Sequence, residues 1–393
     1  MSLVADPPAE TTRAVKVARS FEELEQLRPA WESFSMHRVD ADPDFFTAYA
    51  ETSPAVVRPH VIELDHGGEP AGLVVGRLED TVLRAMVGYK AVYRPRVRLL
   101  TVAHGGITGA GSPGLAHESV EQLLAALRAN EADAALLPGV RTDSPLFEAA
   151  RTLPPSLCRQ RPLSRNTHWK LVLPESMEAF TASLSKRTRQ NTRQYANKLQ
   201  KEFGDRLTLE TLSASGDADR IFADLGEISA KTYQGGLGVG FEDTPARRRI
   251  TTLGLERGWF RAYVLYVDGS PVAFWPGYAY NRTFFTGTPG YDPALAEFRL
   301  GTYLLLRVIE DLCTDPAVDE VDYGFGDADY KRRFGTESWE EADVLVFAPR
   351  FKGIRVNLVR TAIVGSAQAA RAAVDTIGLT AALKKRWRKR LSR

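Results

Sequence analysis

Residues 283–334 read TFFTGTPGYDPALAEFRLGTYLLLRVIEDLCTDPAVDEVDYGFGDADYKRRF, and this stretch decides the fold. It opens with a strand-like segment that leaves through Gly287, Pro289 and Gly290 into a loop. The apolar residues that follow recur at helical spacing over residues 300–312 and predict a helix. The segment VDYGFG then predicts a strand that ends among glycines. This alternation of strands and helices indicates an α/β fold with helices on both faces of the sheet.

The start of the helix predicted over residues 300–312 is a candidate anion-binding site. Gly301 and Thr302 lie in or near its first turn, where unpaired backbone N–H groups and the positive end of the helix dipole attract negative charge. A phosphate-bearing donor fits such a position. The plainer interpretation is a helix start alone, because threonine is a good N-cap and glycine is tolerated there.

Polar and aromatic residues gather where the VDYGFG strand ends. They are Asp322, Tyr323, Asp327, Tyr330 and Lys331. In open α/β sheets, ligands bind outside the carboxyl ends of the strands. We therefore expect catalytic and substrate-binding residues in this cluster.

The order of elements repeats along the chain. A strand–turn–strand pattern is predicted over residues 56–78 and again over residues 260–280, and each is followed by a glycine-rich segment, a helix and a strand. This indicates an internal duplication with a boundary near residues 155–165. The chain is long enough for two cores, and we expect a disordered leader, two domains and a basic helical tail. Their predicted bounds are 1–13, 14–160, 161–350 and 351–393.

The strand, turn, helix and following strand that end in DYGFGDADYKRRFG resemble the GNAT superfamily of acyltransferases. More narrowly, they resemble the FemAB-like branch that includes CelD-type proteins associated with polysaccharide biosynthesis. The basic segment SLSKRTRQNTRQYANKLQKEFG is similar to the opening of that branch's acyltransferase domain. The resemblance covers residues 169–347, and the first half matches in element order only. It implies a tandem GNAT-like α/β fold, with two mixed central sheets flanked by helices.

The resemblance also implies a donor. GNAT enzymes bind the pyrophosphate of coenzyme A (CoA) with a [QR]xxGx[GA] turn, so acyl-CoA is the expected co-substrate. Its expected contacts are Arg299, Leu300, Gly301, Thr302 and Tyr303. The sequence departs from the pattern, because the arginine stands one place late and a tyrosine occupies the last small-residue position. Fem-type relatives use aminoacyl-tRNA, so that donor stays open.

The function implied is transfer of an acyl group, expected to be acetyl, to an amine or hydroxyl of a sugar, polysaccharide precursor or similar small acceptor. By position, Asp322 or Asp327 would be the base and Tyr330 the acid, with Tyr323 and Lys331 as substrate contacts. The plainer interpretations are packing for the tyrosines, and turn caps or ion pairs with Arg332 or Arg333 for the aspartates. A Fem-like aminoacyl transferase and an inactive GNAT-like scaffold are the alternative functions.

Composition narrows the remaining possibilities. The 51 lysines and arginines nearly balance the 49 aspartates and glutamates, so no general attraction to nucleic acid is expected. Two distant cysteines and six scattered histidines predict neither a disulfide framework nor a metal site. No apolar run approaches the roughly 18 residues that span a bilayer, and the N-terminus lacks a secretory pattern. We expect a cytoplasmic protein.

Two basic segments carry separate hypotheses. A long helix is predicted over residues 176–203, ending at Gly204. Its basic part, residues 183–201, could bind phosphates of tRNA or of a nucleotide-linked donor, or it could be a solvated face. In the C-terminal tail, Leu383, Trp387 and Leu391 fall at i, i+4 spacing among basic residues. That pattern suits contact with an anionic membrane surface, and equally an exposed tail.

Overall fold

The computed structural model describes residues 13–88, 90–232 and 241–376. Its strands are β1 Arg13–Ala18, β2 Val56–His66, β3 Glu69–Val82, β4 Ala85–Val87, β5 Lys90–Tyr93, β6 Arg96–Ile107, β7 Ala134–Arg141, β8 Asn166–Val172, β9 Leu207–Leu212, β10 Phe260–Val267, β11 Ser270–Tyr280, β12 Thr283–Thr286, β13 Gly290–Tyr291, β14 Glu320–Phe325 and β15 Glu337–Phe347. Its α-helices are α1 Phe21–Ser33, α2 Pro43–Thr52, α3 Pro113–Arg128, α4 Pro145–Thr152, α5 Met177–Ser183, α6 Lys186–Phe203, α7 Ala218–Lys231, α8 Pro245–Glu256, α9 Leu300–Leu312, α10 Asp329–Phe334 and α11 Phe351–Thr376.

One sheet of 13 strands runs through both halves of the chain, in the order β1-β2-β3-β6-β7-β15-β8-β14-β12-β11-β10-β9, with β13 paired to β11. The α/β prediction is confirmed, but the two expected sheets are joined. The joint is β15, which pairs antiparallel with β7 on one side and with β8 on the other. Joining the sheets removes two edges that would otherwise expose unpaired backbone groups.

The predicted duplication is visible in the strand order. From β1 to β8 and from β9 to β15, the chain follows the same plan, which contains two helices after the first strand, a meander, a helix, a strand, a helix and a last strand. The parallel pairs β6–β7 and β12–β14 correspond. The last strand of each repeat crosses over, so that β15 lies beside β7 and β8 lies beside β14. Each repeat therefore completes the sheet of the other.

The helix predicted over residues 176–203 is wrong in one respect, because the structure divides it into α5 and α6. Leu184 takes an extended backbone and is buried, and the hydroxyl of Ser185 accepts the N–H of Thr188 to begin α6. The end of α6 is as predicted, since Gly204 takes a positive φ there.

The largest core packs α9 against the second-half strands. Leu304, Leu305 and Ile309 of α9 are buried with Tyr263 and Phe284. Such burial fixes the helix axis and hence the position of its first turn. A second core lies under α3 in the first half.

The ends of the chain lie partly outside the described residues. Arg13, assigned to the leader, begins β1. α11 accounts for the tail up to Thr376, and the pattern of Leu383, Trp387 and Leu391 lies outside the described residues. Within those residues, no helix is both long and apolar enough to cross a bilayer.

Candidate functional site

The site begins where β12 and β14 separate. The two strands pair in parallel only from Thr283 to Phe285 and from Glu320 to Asp322. Beyond this, the chain after β12 turns towards β11, where Gly290 pairs with Phe274. A Cβ on Gly290 would lie 2.5 Å from the Phe274 ring, so this close approach requires glycine. The separation leaves an opening at the carboxyl end of both strands.

The first turn of α9 faces this opening. A cavity of about 480 Å³ is lined by Arg299, Leu300, Gly301 and Thr302, and Tyr330 lines it as well. The expected placement of the α9 start against a cleft is therefore confirmed. Tyr303, predicted as a donor contact, instead packs against the core beneath α9.

The backbone at the start of α9 offers hydrogen-bond donors to the cavity. Arg299 takes a left-handed conformation and does not cap the helix with its side chain. Its carbonyl accepts the N–H groups of Thr302 and Tyr303. The N–H groups of Leu300 and Gly301 have no acceptor within the helix. A Cβ on Gly301 would approach only Tyr291, at 3.8 Å, so the space above it is open.

Trp275 lines the same cavity and is 2 % exposed. Its Nε1 finds no hydrogen-bond partner in the part of the chain that the structure describes. A buried donor without an acceptor costs about 1–3 kcal/mol. The donor cavity, as we call it, thus presents the N–H groups of Leu300 and Gly301, with the buried indole of Trp275 in its wall.

Tyr330 packs edge-on against Trp275, with ring centroids 5.6 Å apart, and against Tyr323 at 5.9 Å. Burial raises the pKa of Tyr330 to about 12, so the phenol keeps its proton at neutral pH. Tyr323 is 3 % exposed, and its hydroxyl has no partner among the described residues. Burial also raises the pKa of Tyr323. Tyr330 can therefore donate a proton or hydrogen bond to the cavity, whereas Tyr323 belongs to the buried core and is not among the residues that line either cavity.

Asp322 is held by groups from both halves. Its carboxylate accepts Nη1 of Arg38 at 2.8 Å, Nε2 of His168 at 2.7 Å and the N–H of Gly324 at 2.6 Å. Burial would raise the pKa of Asp322, but the hydrogen bond from His168 and the charge of Arg38 outweigh it and lower the pKa to about 2. A carboxylate so engaged is a poor proton acceptor.

His168 extends this network. Its Nδ1 lies 2.7 Å from the Glu341 carboxylate, and its ring stacks on Trp339 at 4.4 Å. Burial lowers the pKa of His168, but the hydrogen bonds to Asp322 and Glu341 outweigh it, and the pKa is raised. An imidazolium that donates from both nitrogens fits this geometry.

Two other predicted site residues organise the loop after β14. Asp327 pairs with Arg332, so the ion-pair alternative for this residue is confirmed. Lys331 is 7 % exposed, and its Nζ donates to the carbonyls of Gly324 and Phe325 at 3.1 and 2.6 Å. Burial lowers the pKa of Lys331. Its substrate-contact role stays a prediction, but these bonds give it a structural one.

A second cavity of about 860 Å³ lies between the two halves and is called the interhalf cleft below. Its lining includes the aromatic residues Phe45, Tyr49, Phe241, Tyr278 and Phe285, and the polar residues Arg38, Arg77 and His104. Consecutive residues of the chain line the two cavities. Trp275 and Pro289 line the donor cavity, whereas their chain neighbours Pro276 and Thr288 line the interhalf cleft.

Sequence reasoning missed Arg38, His104 and His168. They lie far from Asp322 in sequence, and nothing local marks them. The internal duplication offered one signal for His104. This residue follows the part of β6 that pairs in parallel with β7, and that part corresponds to the end of β12, which pairs in parallel with β14. Within the described residues, no group of three or more His, Cys, Asp or Glu side chains is arranged to hold a metal ion.

Comparison with known proteins agrees with this geometry. Residues 186–332 match the family model of an acetyltransferase (GNAT) domain. The fold is the α/β GNAT fold. The matched segment includes the donor cavity's helix start and Asp322, Asp327 and Tyr330. No curated protein matches the sequence.

Solved structures share this GNAT fold over most of the chain. The crystal structure of FemX is 10 % identical, covers 83 % of this chain and 99 % of its own, and has a TM-score of 0.53. A conserved protein of unknown function from Bacteroides thetaiotaomicron VPI-5482 is 13 % identical, with 84 % and 100 % covered and a TM-score of 0.50. These likenesses concern the fold alone. The CelD-type branch and polysaccharide biosynthesis stay predictions.

Proposed function

We propose that this protein is an acyl-CoA-dependent acyltransferase, with the donor in the donor cavity and the acceptor in the interhalf cleft. The observation that carries the proposal is that the consecutive residues Trp275–Pro276 and Thr288–Pro289 line the two cavities in turn. We infer that a donor and an acceptor bound in the two cavities meet between these residues. Holding the two reactants together supplies much of the rate of such a transfer.

The donor cavity suits a phosphate-bearing carrier. The N–H groups of Leu300 and Gly301 and the helix dipole attract the pyrophosphate oxygens. Basic residues of α6 lie beside this cavity, because Lys198 pairs with Glu297 in the turn that precedes α9. Exposed Lys186, Arg187 and Arg193 continue the basic face.

The reaction forms one bond to the acyl carbon and breaks one, the acceptor loses its proton to water, and Tyr330 regains from water the proton that it gives. The acceptor nitrogen or oxygen attacks the thioester carbonyl, the new bond to the acyl carbon forms, and the carbon–sulfur bond breaks. The leaving thiolate takes a proton, and the phenol of Tyr330, kept protonated by burial, stands in the donor cavity to give it. The acceptor class, an amine or hydroxyl of a sugar or similar small molecule, fits a cleft that mixes aromatic and polar side chains.

A second candidate is a transferase that takes an aminoacyl group from tRNA. The observation in its favour is the same basic face of α6, since exposed cations beside a transfer site suit an RNA backbone. The likeness to FemX is one of fold and leaves the donor undecided. An inactive scaffold would bind neither carrier.

Calorimetry with acetyl-CoA and with uncharged tRNA tests these choices. We expect acetyl-CoA to bind the wild type, and Gly301→Asp to lose affinity by about tenfold or more, because a carboxylate there repels phosphate. Gly301→Asn is the matched control with the same shape and no charge, and it should bind more tightly than Gly301→Asp. Equal affinity of both variants would remove the α9 start from the donor site. Binding of tRNA without acetyl-CoA would favour the second candidate.

A further inference from the structure

Helix α11 exposes a stripe of apolar and small side chains along most of its length. Residues 351, 355, 358, 362, 366 and 369 fall on one face of the helix, and all of them are exposed. Phe351 is 81 % exposed and Leu358 is 51 % exposed. The opposite side of α11 packs on the protein through the buried Val356 and Asn357. The outward face thus carries a phenylalanine and a leucine, where a surface helix normally carries polar residues.

The charge of α11 has one sign over nearly its whole length. Residues 351–374 include lysine and arginine but neither aspartate nor glutamate. Lys352 pairs with Asp133 of the neighbouring loop. Arg355 lies over the Phe351 ring at 5.7 Å and forms no ion pair with any residue that the structure describes. The exposed stripe therefore combines apolar side chains with an unpaired cation.

The β4–β5 hairpin lies beside α11 and has the same character. Residues 83–97, which contain the hairpin, include four basic residues and no acidic one. All four are exposed, and none forms an ion pair in the described part of the chain; they are Arg84, Lys90, Arg94 and Arg96. Met86, Val87 and Val92 of the hairpin are exposed as well. Two segments far apart in sequence thus bring the same combination of side chains together.

A short turn at Ser156–Cys158 adds a further exposed leucine beside α11. Nδ2 of Asn357 donates to the carbonyls of Leu157 and Arg159, both at 2.8 Å, and holds this turn against the helix. The side chain of Leu157 is exposed. We call the exposed side chains of α11, the hairpin and this turn the basic apolar face. Apolar patches of this kind on a soluble chain mark a site of interaction.

Exposed apolar side chains among unpaired cations fit the surface of an anionic bilayer. A helix bound in such a surface buries its apolar side chains at the edge of the acyl chains, while lysine and arginine reach the phosphates. A second copy that used the same face would bring these cations against one another, because a two-fold contact matches a surface with itself. A nucleic acid would pair with the cations but leave the aliphatic side chains without an apolar partner.

The sequence that follows α11 carries the same charge. Residues 377–393 lie outside the described residues and contain seven lysines and arginines and no acidic residue. Each additional cation near an anionic bilayer adds to the attraction. The chain enters this basic segment directly from α11, since the helix ends at Thr376.

We propose that the basic apolar face docks on an anionic lipid bilayer. α11 lies in the plane of the headgroups, with Phe351 and Leu358 towards the acyl chains and Arg355 at the phosphates. The β4–β5 hairpin binds the same surface beside it. α11 lies on the bilayer and does not cross it, in keeping with its length and polarity. The proposal does not depend on the proposed function, because none of these side chains lines the donor cavity or the interhalf cleft.

Flotation of the full-length chain with lipid vesicles tests the docking. We expect the wild type to float with vesicles of phosphatidylcholine mixed with phosphatidylglycerol, and much less with phosphatidylcholine alone. Leu358→Asp should lower the partition coefficient for the mixed vesicles by about tenfold or more, because a carboxylate replaces an inserted leucine. The matched control is Leu209→Asp, which changes an exposed leucine on the edge strand β9 and should float like wild type. Phe351→Asp is the second variant, and residues 377–393 are unchanged in all of these chains.

Each other outcome counts against the docking. A wild type that stays off the mixed vesicles would overturn it, and so would equal flotation with both kinds of vesicle. Normal flotation of both Leu358→Asp and Phe351→Asp would show that the basic segment after α11 binds without the face. A wild-type dimer that Leu358→Asp dissociates, as measured by mass photometry, would assign the face to a second copy of the chain. The midpoint of thermal unfolding, unchanged in each variant, confirms that the loss is one of binding.

Discussion

Nη1 of Arg38 lies 2.8 Å from Oδ2 of Asp322, although the two residues are 284 positions apart. Arg38 belongs to the turn between α1 and α2, and Asp322 stands at the end of the parallel pairing between β12 and β14. One ion pair therefore ties the first half of the chain to β14 of the second half. Around it lie His168, Phe285 and His104, which no single half could assemble.

Loss of the Arg38–Asp322 ion pair should destabilise the fold. Arg38→Met leaves the carboxylate largely buried beside His168 without one of its two cationic partners, and breaking such pairs costs about 3 kcal/mol or more. Urea unfolding measures the change. The control is Arg128→Met, whose partner Glu121 is exposed at 3.5 Å, and which should cost less than about 1 kcal/mol. Similar values for both variants would show that the interhalf pair contributes little.

The stability of the protein should depend on pH through His168. Its pKa is raised above 6.5 in the fold, so its stabilising contribution is complete below pH 6.5 and is lost as the pH rises through the folded value. His168→Asn should therefore show its largest deficit in unfolding free energy below pH 6.5, and a smaller deficit in alkaline solution. A deficit that stays constant with pH would mean that the imidazolium is not formed.

Titration of His104 should change the unfolding free energy with pH in the opposite direction. Its pKa is lowered from 6.5 to about 3, so the unfolded chain binds the proton more tightly and stability falls as the pH drops between these values. His104→Asn should remove this part of the acid sensitivity, measured as the difference in unfolding free energy from wild type between pH 7 and pH 4. His117→Asn serves as control and should leave the slope unchanged. An unchanged slope for His104→Asn would show that the imidazole titrates normally.

Tyr330→Phe should separate catalysis from binding. In the proposed mechanism the phenol hydroxyl donates a proton, whereas the ring packs against Trp275 and Tyr323. Removal of the hydroxyl should lower kcat by about 10²-fold and leave acetyl-CoA affinity intact, as measured by thiol release and by calorimetry. Tyr93→Phe, in the small β4–β5 sheet, is the control. Equal kcat for Tyr330→Phe and wild type would exclude the acid role.

The turn at Gly290 should not tolerate a side chain. An alanine there places its Cβ about 2.5 Å from the Phe274 ring, and the strand after β12 must move away from β11. We expect a loss of about 1–3 kcal/mol from the overpacking, together with weaker acetyl-CoA binding, because Gly290 lines the donor cavity. Gly226→Ala, inside α7 with open space around it, should be neutral or stabilising. A stable Gly290→Ala that binds acetyl-CoA normally would contradict the tight turn.

The helices and strands of the second half were predictable because their sequence signals are local. The apolar period over residues 300–312 gave α9 its observed bounds, and the strand–turn–strand pattern over residues 260–280 placed β10 and β11 within two residues. Local patterns also placed Gly301 at a helix start that faces a cavity. Leu184 and Ser185 show the limit, because a buried leucine and a serine cap interrupt a segment whose sequence favours one continuous helix.

The partners of the site residues were not predictable, because they depend on pairing across the sheet. Asp322 was a candidate base from its position at a strand end, yet Arg38 and His168 occupy its carboxylate. His168 reaches Asp322 only because β8 pairs with β14. His104 reaches the interhalf cleft from a bulge in β6, and no local sequence pattern predicts that bulge.

By itself, the sequence determined which segments are strands and helices, that their plan repeats, and that a helix starting near Gly301 follows β12, since hydrophobic period, glycine and capping act over a few residues. Only the tertiary structure decided that β15 and β8 cross between the repeats to make one sheet, and that Arg38, His104 and Asp322 meet at one cleft. Contacts between residues more than a hundred positions apart depend on how the buried faces of both repeats pack together, and that packing is a property of the whole chain.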